Sequence, residues 1–164
     1  MKVHLDYKNI VVPIDFSDES RKAFYVALKY ARQFDCDTTA LHVHDVGKSI
    51  DDMEQAASDL ARLEEGIKRR IDELWEEGGL EQVDRRRVHL EIRGGKLWEQ
   101  IVRYSTDNEV DLVVMGTSGR TGVKKILSPS QSEKVARHAP CNVLIVKTDK
   151  WQPTLDAPPD KFKV

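Results

Sequence analysis

The residues best suited to chemistry lie in the stretch GTSGRTGVKKILSPSQ, residues 116–131, directly after the apolar run at 111–115. The stretch holds three glycines and several hydroxyl side chains. Glycine lets the backbone approach a bound group closely, and hydroxyls and free backbone amides can donate hydrogen bonds to an anion. A loop that binds a small anionic ligand is therefore one interpretation, although loop glycines more often serve turns alone.

Neither of two common phosphate-binding patterns accounts for this loop. The complete P-loop pattern is absent, and Asp15-Phe16-Ser17, which follows the first apolar run, lacks the Gly-x-Gly of the dinucleotide fingerprint. Asp15 is itself a candidate ligand, most simply for a base or ribose, with Mg²⁺ as the second option. No histidine is placed by the sequence to activate Ser17, so a serine hydrolase is not expected.

Two histidines, His42 and His44, fall on one face of a predicted strand. Such a pair can bind a metal, but no cysteine or carboxylate cluster on that face completes a site, so a packed or hydrogen-bonded pair is expected. The two cysteines, Cys36 and Cys141, form no metal or redox motif. Reduced thiols in a cytoplasmic protein are the simpler interpretation.

Composition narrows the class of partner. The chain has 164 residues, 33% of them charged and 40% hydrophobic, with a net charge of −2. No basic field favours nucleic acid, and no apolar run is long enough to span a membrane. The first residues lack the apolar core of a signal peptide. A cytoplasmic globular protein is expected.

Apolar runs alternate with helical patterns along the chain, which predicts five strands and four helices. Strands one, two, four and five are almost continuously apolar, whereas strand three alternates between apolar and polar residues, as an edge strand does. Right-handed crossovers then favour the strand order 3-2-1-4-5 in an open, mostly parallel sheet with helices on both faces. The strands are predicted at residues 9–15, 38–46, 87–93, 111–115 and 142–147.

In that order the chain reverses direction between strands one and four. Ligands of open α/β sheets bind at such a point, beyond the carboxyl ends of the strands. Asp15 and Gly116 follow those two strands, so the topology and the glycine loop indicate the same crevice. The predicted α/β domain covers residues 1–148, and the proline-containing segment 149–164 is predicted to be an extended C-terminal arm.

Four segments together resemble the universal stress protein family. They are NIVVPIDFS at 9–17, LHV at 41–43, VMGTSGRTG at 114–122 and EKVARHAPC at 133–141. The resemblance extends over roughly residues 8–148. It implies a homodimeric regulatory or stress-tolerance protein, and one branch of the family binds adenine nucleotides through the motif G-x2-G-x9-G-[ST].

The resemblance also implies roles for individual residues. Asp15 and the backbone of Val43 would hold adenine, Pro13 and Met115 would line its pocket, and Gly116 would approach the ribose. The residues expected to face the phosphates are Gly119, Arg120, Ser130 and Gln131. Ile14 completes the predicted nucleotide-binding set, and the expected ligand is ATP, ADP or AMP, with Mg²⁺ as a companion ion.

This chain departs from the motif at one position, where Pro129 replaces a glycine. Proline has no N–H, so one phosphate donor is lost. A hydrogen bond to a charged group contributes about 1.5–3 kcal/mol, which corresponds to roughly ten- to hundredfold in affinity. Alternatively, Ser128, Pro129 and Gln131 fit a capping box that would occupy the same amides.

Three functions follow from these observations. The first is an adenine-nucleotide-binding regulator, the second a ligand-free interaction module of the same fold, and the third a weak ATPase. The strand at 142–147 is apolar and ends the predicted sheet, so an open edge there would be hazardous. Pairing of two copies through this strand is the expected homodimer, in agreement with the resemblance.

Overall fold

The computed structural model describes residues 6–44, 53–78, 85–116 and 129–147, and these residues form five strands and four helices in alternation. The strands are β1 (Asn9–Pro13), β2 (Asp37–His44), β3 (Val88–Gly94), β4 (Leu112–Gly116) and β5 (Asn142–Val146). The helices are α1 (Asp18–Phe34), α2 (Met53–Glu77), α3 (Leu97–Asp107) and α4 (Pro129–His138). The C-terminal arm predicted at 149–164 lies outside the described residues.

All neighbouring strands are parallel, in the order β3-β2-β1-β4-β5. The predicted fold class and strand order are therefore confirmed. Strand β1 pairs with β2 along its whole length but with β4 only through Ile10↔Leu112 and Val11↔Val113. Pro13 has no N–H to offer β4. The ladder between β1 and β4 thus ends before their carboxyl ends.

Each face of the sheet is covered by one pair of helices. Helices α1 and α2 pack on what we call the back face, where Ile10, Val12 and Ile14 join one apolar cluster. Helices α3 and α4 pack on the front face, where Val11 and Val113 belong to a second cluster. Because successive strand residues point to opposite faces, residue parity assigns each strand side chain to a face.

The first strand is shorter than the sequence predicts. It ends at Pro13 rather than at residue 15: Ile14 donates one last hydrogen bond to Leu41 O at 2.9 Å, and the chain then turns into α1. Ser17 is the N-cap of α1, and its hydroxyl accepts from the N–H of Ser20 at 3.3 Å. This cap fixes where the turn must end.

The edge strand β3 shows why its sequence alternates. Its apolar side chains pack against the back-face cluster, while its polar side chains lie on the front face, where Arg93 pairs with Glu91 at 3.0 Å. None of the helices in the described part of the chain combines the length and apolar character that crossing a membrane requires.

Candidate functional site

Three adjacent strands end on the front face with apolar residues. Val43 of β2 is buried, and Met115 of β4 is fully buried. Pro13, also buried, closes β1 on the same face by alternation from Val11. These three residues form an apolar floor at the carboxyl ends of the strands, where a flat ring could pack.

Asp15 stands beside this floor and is held in a fixed arrangement. Its Oδ1 accepts hydrogen bonds from the backbone N–H of Ser17 at 3.0 Å and from the Ser17 hydroxyl at 2.6 Å. The N–H of Asp15 donates to Ser20 Oγ at 3.3 Å. The N-terminus of α1 favours a negative charge at this position. Asp15 Oδ2 lies outside this network.

Gly116, the last residue of β4, has a packing reason to be glycine. A Cβ at this position would lie 2.6 Å from the carbonyl oxygen of Glu19 and 2.7 Å from its carbonyl carbon, in the first turn of α1. Backbone atoms cannot give way as a side-chain end can. The absence of a side chain therefore lets α1 approach the end of β4, independently of any ligand.

The phosphate side of the predicted site is only partly described. Gly119, Arg120 and Ser128 lie outside the described residues, and so does the side chain of Ser130. Helix α4 begins at Pro129, as a proline at the first helical position would.

Gln131, in the first turn of α4, is half-buried. Its buried Oε1 has no hydrogen-bond partner among the described residues. A buried amide group without a partner is costly, so this end of α4 has a polar group that a bound molecule or water could satisfy.

On the back face, His42 supports the same turn from behind. Its Nδ1 lies 2.8 Å from the carbonyl oxygen of Ile14. Because that oxygen can only accept, Nδ1 carries the proton. Burial lowers the pKa of His42 below its ordinary value, against the opposing effect of this hydrogen bond. The expectation of a hydrogen-bonded histidine is met by His42, whereas the buried Nδ1 of His44 lacks a partner within the described residues.

Sequence reasoning missed two residues near the site. Phe16 adopts a left-handed backbone with φ 65°, and the Arg70 guanidinium lies 4.8 Å from its ring centroid. An aromatic residue in a strand-to-helix turn carries no sequence sign of positive φ. Arg70 is one of several charged residues on α2, so only the folded chain distinguishes it.

Metal ligation finds no support in the described segments, where no group of three or more His, Cys, Asp or Glu side chains is placed to hold an ion.

A concavity of about 210 Å³ lies at the opposite, amino end of the sheet. Its polar groups largely satisfy one another, since the Tyr104 hydroxyl donates to Thr39 Oγ1 at 3.1 Å and His89 lies 3.6 Å from the Asp37 carboxylate. We assign it no ligand. Its lining comprises Asn9, Ile10, Asp37, Thr39, His89, Tyr104, Asn108 and Val110.

The described residues thus define an open α/β protein in which the pairing of β1 with β4 stops before their carboxyl ends. The Universal stress protein family model matches residues 6–147. The chain belongs to the universal stress protein family. It is 35% identical over 150 residues to universal stress protein MJ0531 of Methanocaldococcus jannaschii, which covers 88% of this chain and 84% of that protein.

Solved structures share the fold. Universal stress protein UspA from Lactobacillus plantarum matches with a TM-score of 0.65 and 27% identity over 87% of this chain and 99% of its own. A universal stress protein solved in complex with cAMP has the same TM-score, with 22% identity over 87% of this chain and 98% of its own. At that identity, the second match bears on the fold alone.

Proposed function

We propose that this protein binds an adenine nucleotide in the crevice between β1 and β4 and acts as a cytoplasmic regulatory or stress-tolerance protein rather than as an efficient enzyme. The observation that carries the proposal is the meeting of Asp15, Val43 and Met115 at the carboxyl ends of three adjacent strands. Those strands include β1 and β4, between which the chain reverses direction. Ligands of open α/β folds usually bind at such a point.

The chemistry of these groups suits adenine better than a simple anion. The apolar floor formed by Pro13, Val43 and Met115 can pack against a flat heterocycle. Asp15 Oδ2 and the backbone of Val43 can pair with the polar edge of the base, because a carboxylate accepts from an exocyclic amine. The cAMP complex of the family member described above shows an adenine nucleotide on this fold.

The phosphates would lie toward the loop and the start of α4. Gly116 would face the ribose, while Gly119, Arg120, Ser130 and Gln131 would face phosphate oxygens. The N-terminus of α4 favours an anion, but Pro129 withdraws one backbone donor from it. We therefore propose that AMP and ADP bind about as readily as ATP, with Mg²⁺ accompanying the nucleotide.

The test is the identity of the ligand that purified protein carries. Mass spectrometry after heat release is expected to find an adenine nucleotide with the native chain and less with Asp15→Asn. Asp18→Asn is the matched control, because Asp18 is exposed in the first turn of α1. An Asp15→Asn sample with as much nucleotide as the native protein would place the ligand elsewhere.

The two other functions give different results. A ligand-free interaction module would release no nucleotide and bind none that is added. An ATPase would release phosphate in a magnesium-dependent reaction that Asp15→Asn abolishes.

We further propose that two copies pair through β5. This strand ends the sheet, and its middle residues Val143, Leu144 and Ile145 are only half-buried. Edge-to-edge pairing would satisfy the backbone groups on its outer side. Light scattering should give the mass of a dimer at micromolar concentrations, and a monomer there would contradict the proposal.

A further inference from the structure

The turn that carries Asp15 has an unusual backbone. Phe16, the next residue, has φ 65°, a left-handed conformation that a bulky aromatic residue rarely adopts. Such a conformation persists only where the surrounding structure holds it, and held conformations of this kind concentrate at functional sites. The contacts that hold Phe16 therefore bear on how Asp15 is presented.

Those contacts come from the back face of the sheet. The ring centroids of Phe16 and His42 lie 6.0 Å apart, and the Arg70 guanidinium lies 4.8 Å from the Phe16 centroid. His42 also donates to the carbonyl of Ile14 at 2.8 Å. We call Phe16, His42 and Arg70 the back-face clamp.

We infer that the back-face clamp positions Asp15 and thereby sets the affinity of the front-face crevice for adenine nucleotide without touching the nucleotide. The inference rests on the proposed function. The residues on both sides of Asp15 are held from behind, Ile14 by the hydrogen bond from His42 and Phe16 by the His42 ring and Arg70. Asp15 can then direct Oδ2 toward the crevice only while its neighbours stay in place.

Substitution of Arg70 is the simplest test of whether the clamp affects nucleotide affinity. Arg70 is exposed on α2, and a cation–π contact at the protein surface contributes modestly to stability, so its loss should leave the fold intact. Arg70→Gln is expected to weaken AMP binding about two- to fivefold. Arg69→Gln is the matched control, since Arg69 is also exposed on α2, and is expected to leave the affinity unchanged.

Two substitutions of His42 test the other half of the clamp, because one removes the hydrogen bond to Ile14 and the other should restore it. His42→Leu removes the donor to Ile14 and is expected to weaken AMP binding roughly tenfold. His42→Asn places an amide N–H close to the position of Nδ1 and is expected to restore most of the affinity. A role in bulk packing alone would favour leucine over asparagine, which would overturn the inference.

The pH dependence of ligand affinity tests the clamp in a way that a role in packing alone would not affect. The charged or titratable groups around His42 are His44, Asp15 and Arg70. A second cation beside Arg70 should loosen the clamp, so the affinity for adenosine, which carries no phosphate to titrate, is expected to fall with acid. His42→Asn should flatten this profile, and an unchanged acid limb in that variant would count against the clamp.

A ligand-independent measurement separates failure of the clamp from failure of the proposed function. The Ser17 N–H is bonded to Asp15 Oδ1, so its hydrogen exchange reports on the turn. Arg70→Gln should exchange this proton faster than Arg69→Gln does.

If the native protein binds no adenine nucleotide, the function fails and the exchange rates alone decide the clamp. If it binds but Arg70→Gln matches Arg69→Gln in affinity, the clamp is wrong and the function stands. Should His42→Leu fail to fold, the Arg70 pair and His42→Asn still give the decision.

Discussion

The two faces of the sheet differ most where β1 ends. On the front face, Val43 and Met115 form an apolar floor at the carboxyl ends of β2 and β4. On the back face, aromatic rings and the Arg70 guanidinium pack against the same turn. Asp15 lies between the two faces, so affinity should depend on contacts in front and on rigidity behind.

The largest effect should come from adding a side chain where the end of β4 meets α1. Gly116→Ala would bring a Cβ to 2.6 Å from the Glu19 carbonyl oxygen, so α1 or β4 must shift. Overpacking of this kind costs about 1–3 kcal/mol, and we expect that loss in the free energy of unfolding measured with urea, together with lost nucleotide binding.

Gly66→Ala provides the control, because Gly66 lies inside α2 and an added Cβ there would meet nothing within 4 Å. This substitution should stabilise the protein by about 0.5–1 kcal/mol. A Gly116→Ala protein as stable as the native chain would refute this account of the packing between β4 and α1.

A smaller effect, confined to the ligand, is expected from Asp15→Asn. Loss of a charged hydrogen-bond acceptor should weaken adenine-nucleotide binding by about 1.5–3 kcal/mol, or roughly ten- to hundredfold. Calorimetry of Asp15→Asn and Asp18→Asn measures the difference. Equal affinities in the two variants would remove Asp15 from the site.

Pro129→Gly should act in the opposite direction. Restoring an N–H at the start of α4 is expected to tighten ATP binding by about tenfold and AMP binding by less, because the donor faces the outer phosphates. The ratio of the two dissociation constants cancels any general effect on the loop. An unchanged ratio would mean that the proline does not limit phosphate binding.

The smallest effect concerns pH and the back face. Burial lowers the pKa of His42 in the folded protein, so the unfolded chain takes up a proton first as the pH falls. The stability contribution of neutral His42 is full above about pH 6.5 and declines as the pH falls from there through the folded pKa. His42→Asn should remove this part of the acid decline in urea unfolding, and an identical decline in both proteins would assign it to other groups.

Sequence reasoning reached the topology because the pattern of each strand reports its burial. The alternation in β3 predicted an edge strand, and the right-handed crossover rule then favoured the order of the remaining strands. The same reasoning predicted that Asp15 and Gly116 lie at the carboxyl ends of β1 and β4, where the structure has them; their role in binding stays a prediction.

The back-face clamp could not be predicted in this way. Phe16 and Arg70 are 54 residues apart, and neither the positive φ of Phe16 nor the choice of Arg70 among the charged residues of α2 leaves a periodic sign. The end of β1 was misplaced because the apolar run continues through Ile14, whereas Pro13 ends the pairing with β4. Contacts between distant elements decide both features.

The most direct test of the account is calorimetric titration of the native protein with ATP and AMP in the presence of magnesium. We predict saturable binding of both nucleotides, with dissociation constants below about 1 mM and within roughly tenfold of each other, since the base is held well and the outer phosphates weakly. The absence of binding by either nucleotide at millimolar concentration would contradict the central claim that the front-face crevice is an adenine-nucleotide site.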